Sequence, residues 1–150
     1  MSRDRDVRLA IQAALEATDE FDGVFVWGLP EDYGSGASTA VLAIIEPESS
    51  TQEDRWDAAP GSGLLITSRV TITLIYRALD PQLRDEAAEL LFDTAANALN
   101  GQCLAGLTLP QLTRFVSWRW EKAGPPERRI ASIFSYQYIV EGWDSFDTSA

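Results

Sequence analysis

Leu64 to Gly101 constrains the fold of this chain more than any other stretch. Leu64, Ile66, Val70, Ile72, Leu74 and Tyr76 are apolar at even positions, whereas Thr67, Arg69, Thr71, Thr73 and Arg77 fill most of the odd ones. That two-residue period belongs to a strand with one face in a core. Fourteen extended residues would span roughly 46 Å at about 3.3 Å each, longer than most strands of globular domains. The pattern therefore predicts a strand or hairpin that projects in part, leaving backbone groups for a neighbour to satisfy. Asp80-Pro81 stops the strand and opens a helix, with Asp80 as N-cap and Pro81 at the first helical position. Leu83, Ala87, Leu90, Leu91, Thr94, Ala95 and Ala98 form its expected inner stripe, and Gly101 suits the left-handed position after its end.

The remaining elements follow from the same periodicities. Val7, Ile11, Ala14, Leu15 and Thr18 mark a first helix from Ser2 to Thr18, and Phe21 to Gly28 reads as a strand ended by Leu29-Pro30. Ala40 to Ile45 is a short continuous apolar run, suited to a strand buried on both faces and stopped by Pro47. Glu46 to Ser62 is acidic, unperiodic and rich in Ser, Gly and Pro, and reads as a mobile loop that carries Trp56. Thr113 to Lys122 is a strand with Val116, Trp118 and Trp120 on one face, and Arg128 to Glu141 is the last strand. With one crossover helix among five strands, the order predicts a single α+β domain over residues 1–150. An antiparallel or mixed β-sheet would carry two α-helices on one face.

Composition removes most enzymology. The 150 residues contain no histidine and one cysteine, so the usual general base near neutral pH, an imidazole metal ligand, an internal disulfide and a thiolate cage are all missing. Gly34-Ser35-Gly36 has no following Gly-Lys-Ser/Thr, so it makes no phosphate cradle. Glu46, Glu48, Glu53, Asp54 and Asp57 lack the alternating ligand pattern of a calcium loop. Cys103 lies past a helix C-terminus, the wrong end to stabilise a thiolate, and reads as a small core residue. We expect no enzyme activity, no cofactor and no metal. No apolar run approaches the ~20 residues of a membrane span, and no segment has a signal-peptide layout.

Charge is abundant and unevenly placed. Twenty-three acids against twelve bases give a net charge of −11, which opposes nonspecific binding to nucleic acid or anionic lipid. From Leu9 to Asp54 there are ten acids and no base, whereas Arg114, Arg119, Lys122, Arg128 and Arg129 crowd the two last strands. Opposite patches on one chain are what a heterologous contact between copies requires. On a strand, Trp118 and Trp120 share one face and Arg119 the other, which favours sheet core or subunit interface over nucleic-acid stacking. Trp56, Arg69, Arg77, Arg119, Arg128 and Arg129 are the candidate interface residues.

The succession Gly28-Leu29-Pro30, Trp56, Arg77 to Asp85, Leu99-Asn100-Gly101 and Arg128-Arg129-Ile130 to Gly142-Trp143 resembles the tail terminator proteins of long-tailed bacteriophages. These are also called tail completion or head-to-tail joining proteins. The likeness is one of layout, without a catalytic motif, and assigns no individual residue. It implies a structural virion protein that closes into a homo-oligomeric ring, six subunits in the family, and caps the tail tube. The implied partners are the tube protein and the head connector or neck protein, with DNA passing through the lumen unbound. It implies residence in the host cytoplasm during assembly and in the virion afterwards. The alternatives are another neck, minor tail or head-completion protein, or a small acidic regulator that binds a ligand or protein.

Overall fold

The computed structural model describes residues 3–26, 40–53, 64–78, 81–122 and 127–140. Helix α1 (Arg3–Glu16) turns Val7, Ile11 and Leu15 into the core at the i, i+4, i+8 spacing. It ends two residues earlier than the apolar stripe suggests. Thr18 is spent as a terminator, its hydroxyl donating to the Leu15 carbonyl at 2.7 Å, and Asp19 follows in the left-handed conformation at φ 60°.

Strand β1 (Gly23–Phe25) is short and pairs in parallel with β2 (Ala40–Glu53). Asp22 starts this pairing from both sides: its N–H donates to the Val41 carbonyl at 2.7 Å and its carboxylate accepts the Val41 N–H at 2.8 Å. β2 runs on through Pro47, which corrects the expectation that this proline stops it. β1 flanks β2 only as far as Ile44, so among the described residues Pro47 lies on a free edge, where a missing donor breaks no second ladder. A bulge at Glu48, between Pro47 and Ser49, absorbs the irregularity. The expected loop over 46–62 is thus strand to Glu53, and its later part, with Trp56, lies outside the described residues.

β3 (Leu64–Arg77) has the predicted bounds but not the predicted exposure. The five-stranded sheet has the order β1-β2-β3-β5-β4, with every neighbouring pair antiparallel except β1 and β2. β3 pairs with β2 from Leu65 to Arg77 and with β5 (Glu127–Val140) along its whole length. Its backbone is therefore satisfied within the chain. Among the described residues the free edges belong instead to the distal half of β2 and to β4 (Arg114–Glu121).

The even residues of β3 and β5 face the two helices, and Ile66, Val70, Ile72, Leu74, Ile130, Phe134, Tyr136 and Tyr138 join α1 and α2 (Pro81–Leu99) in the main core. The buried positions of α2 are Arg84, Ala88, Leu91, Ala95 and Leu99, one step round the helix from the expected stripe. Leu90 is 65 % exposed. An arginine at the head of the true stripe hides it from an apolar pattern search. Gly101 takes φ 76° as expected and donates its N–H to the Thr113 carbonyl. Two short 3-10 turns, Leu104–Gly106 and Pro110–Leu112, lead to β4. Cys103 is exposed at the first of them, a correction to its reading as core, because the Thr108 hydroxyl and Leu104 fill that corner.

On the opposite sheet face, Ala40, Leu42, Ile44 and Ile75 form a smaller buried cluster with Phe25 against it. Among the described residues no helix lies on that side.

Candidate functional site

The face away from the helices is best followed row by row across β2, β3, β5 and β4. One row reads Ser49, Arg69, Ser135, Arg114; the next Glu46, Thr71, Ile133, Ser117; the next Ile44, Thr73, Ala131, Arg119; and the next Leu42, Ile75, Arg129, Glu121. The two central strands mix small, apolar and basic residues, with Arg69 and Arg129 at the two ends of this block; β4 carries Arg114, Arg119 and Glu121, and β2 carries Glu46. Glu46, Pro47, Glu48 and Ser49 are exposed along the free edge of β2, and Arg114, Ser117 and Arg119 along β4. β2 and β4 lie on opposite sides of this part of the sheet, so Glu46 and Arg114 belong to different margins, while the Glu48 side chain reaches back over the sheet towards Arg119.

Glu48 owes its position to the bulge. Its carboxylate accepts a hydrogen bond from the Thr71 hydroxyl at 3.3 Å and lines a cavity of about 220 Å3 with Ser117, Arg119, Ala131 and Ile133. The combination of bulge, proline and two carboxylates also blunts this edge against indiscriminate strand pairing. Arg119 is 70 % exposed and only 3.7 Å from Glu121, a loose surface pair that is worth little by itself.

The structure divides the predicted arginines into two kinds. Arg69 is exposed and makes no hydrogen bond or ion pair among the described residues, and Arg119 is exposed as well. Arg77 and Arg129, by contrast, are held by Glu127. Glu127 Oε2 accepts from Arg77 Nε at 3.2 Å and Nη2 at 2.5 Å, and Oε1 accepts from Arg129 Nε at 2.8 Å. Arg77 and Glu127 are cross-strand partners and Arg129 is two residues along the same face. Burial pushes the Glu127 carboxyl up, but the hydrogen bonds and charges of the two arginines outweigh it and hold the group below the usual carboxylate range.

Arg128 points to the helix face. Its Nε lies 2.7 Å from Asp85 Oδ1, out of line for a hydrogen bond, and its guanidinium carbon sits 4.4 Å from the centre of the Trp120 ring. The register shift at Val116 puts Phe115, Trp118 and Trp120 on this face and leaves Val116 43 % exposed, correcting the expected Val116, Trp118, Trp120 stripe. The aromatic row runs from Phe134 through Phe115 and Phe92 to Trp118 and Trp120, with centroids 4.9 to 6.0 Å apart. Trp120 is half-buried against the core, while Trp118 is 47 % exposed.

Sequence reasoning missed Glu127 and Asp85 because their partners lie on other elements, and no local spacing announces a pair made by strand register or helix docking. Among the described residues, no group of three or more His, Cys, Asp and Glu side chains is placed to hold a metal ion, and no helix is long and apolar enough to cross a membrane.

No protein-family model matches the chain, and no curated protein matches it. Among solved structures it is similar to a chain of one described as "Virion of native gene transfer agent (GTA) particle", with 20 % sequence identity and a TM-score of 0.48. The match covers 92 % of this chain and 95 % of that one. A likeness this distant carries no argument about function.

Proposed function

We propose that this chain is a structural protein of a phage-type virion, and within that class the subunit of a ring that caps the tail tube and joins it to the head connector. The observation that carries the reading is that acidic Glu46 and Glu48 stand on β2 and basic Arg114 and Arg119 on β4, the two outer strands of this part of the sheet among the described residues, even though the Glu48 side chain turns inward over the sheet towards Arg119. A ring is built by a heterologous contact in which one surface of each subunit meets a different surface of the next. Opposite charge on those surfaces steers encounter and fixes which edge meets which. The layout resemblance to tail terminator proteins points the same way.

In this reading Arg69 and Arg119 act between subunits. Arg77, Arg128 and Arg129 shape the subunit, since each is already engaged by an acid of its own chain. The test is assembly. Purified protein, alone or with the tube protein added, is expected to form closed rings visible by negative stain and by mass. Monomers under both conditions would refute it.

A further inference from the structure

We propose that Arg84, with Arg128 beside it, forms a receptor for an oxyanion, a carboxylate or phosphate group, at the N-terminal end of α2. Arg84 is only 5 % exposed and heads the buried stripe that continues through Ala88, Leu91, Ala95 and Leu99. Among the described residues no other Asp, Glu, Lys or Arg is buried so deeply. Its Nε is sealed from solvent without an acceptor, and Arg84 makes no hydrogen bond, ion pair or ring contact among the described residues. A guanidinium does not give up its proton to suit such a place, so the charge stays and calls for a partner.

The surroundings add positive charge rather than cancel it. Arg84 is the fourth residue of α2, and helical side chains lean towards the N-terminus, which carries its fork to the open end of the helix. First-turn N–H groups lack intrahelical acceptors, and the helix dipole is positive there. α1 answers the same situation with Asp4 and Asp6 in its first turn, whereas the first turn of α2 holds no acid. Asp85, the next residue along, is taken by Arg128, whose own Nε is also buried without an acceptor in line. Two guanidinium groups thus stand at this end of the helix against one carboxylate, in a chain of 23 acids and 12 bases.

An oxyanion meets these demands together. Its paired oxygens accept from an arginine fork, and its charge suits both the unmatched guanidinium and the helix terminus. A water molecule would satisfy Nε and leave the charge. A free anion and a carboxylate on a second copy of the chain bring the same chemistry, and the second source rests on the ring reading. Asp80 lies outside the described residues and is the competing partner from the chain itself.

Thermal unfolding of the wild type, R84M, R84K and D80N separates these cases, at constant ionic strength set with sodium chloride and at protein concentrations below ring formation. Without added oxyanion, R84M is expected to unfold about 3 °C or more above the wild type, because an apolar side chain of similar length removes an unmatched charge. Inorganic phosphate or acetate should raise the wild-type midpoint saturably, R84K should need about fivefold more of either, and R84M should not respond. The response should persist in D80N. An R84M variant no more stable than the wild type, or a double-mutant cycle that couples D80N to R84M, shows that Arg84 is matched within its own chain and overturns the receptor. A response to free anion assigns the ligand to solution. No response, with ring formation about tenfold weaker in R84M, assigns it to a carboxylate of a second copy. No response and unchanged assembly overturn the proposal. If the wild type never forms rings while phosphate still binds, the ring reading fails and the receptor stands.

Discussion

The Asp4 carboxylate accepts a hydrogen bond of 2.8 Å from the hydroxyl of Tyr136, joining the first turn of α1 to the middle of the last strand. The same oxygen accepts a second bond, 2.9 Å, from Ser68 on β3, and Tyr136 is only 1 % exposed. Bonds to an ionised group are worth about 1.5–3 kcal/mol, so Y136F is expected to lower unfolding free energy by that order in urea titration. S68A, which leaves Asp4 its tyrosine donor, should cost less.

Alkaline pH should expose the same network. Burial, and then the charge of Asp4, push the phenols of Tyr136 and Tyr138 well above their ordinary value. A phenol raised in the folded state contributes stability that is complete below its unfolded value near 10 and is lost as pH rises beyond it. Stability should therefore fall above about pH 10, by up to ~1.4 kcal/mol per pH unit for each tyrosine, and the fall should be shallower in Y136F. A slope identical in both proteins would show that Tyr136 ionises freely.

The Glu127 clamp predicts the acid side. A carboxyl depressed in the folded state stabilises above its unfolded value and ceases to do so as pH falls through the folded one. E127Q should lower stability at neutral pH by about 1–3 kcal/mol, because it replaces the carboxylate shared by Arg77 and Arg129 with a neutral amide, and the Arg77 side chain is only 17 % exposed. The gap between E127Q and the parent should narrow below about pH 4, measured by thermal unfolding across the range.

Cys103 offers a simple check on the corner after α2. Exposed at a turn, it is expected to react with a thiol reagent in native protein as completely as in denatured protein. C103S should change stability by no more than about 0.5 kcal/mol.

The elements were largely legible because their signals are local. The alternation of β3, the Asp80-Pro81 boundary and Gly101 each reflect backbone rules that act within a few residues. The failures have a common physical form. Pro47 reads as a terminator unless it is known to lie on an edge, and Val116 reads as an inward residue unless the bulge beside it is known. Arg84 breaks the apolar stripe that would have placed α2. The arginine hairpin was recognisable as a charged feature, but which arginines are free depends on Glu127 and Asp85, partners that only the sheet register and the docking of α2 bring to them.

The central claim is that subunits join the acidic edge of β2 to the basic edge of β4, and paired charge reversal tests it most directly. E46R/E48R and R114E/R119E, each made alone, should abolish or strongly slow ring formation at low salt while the monomer stays folded. A chain carrying all four reversals restores the complementarity with its signs exchanged, and native mass measurement should find rings of the wild-type stoichiometry. Failure of the fourfold variant to recover assembly, or wild-type assembly by either pair alone, would contradict the account.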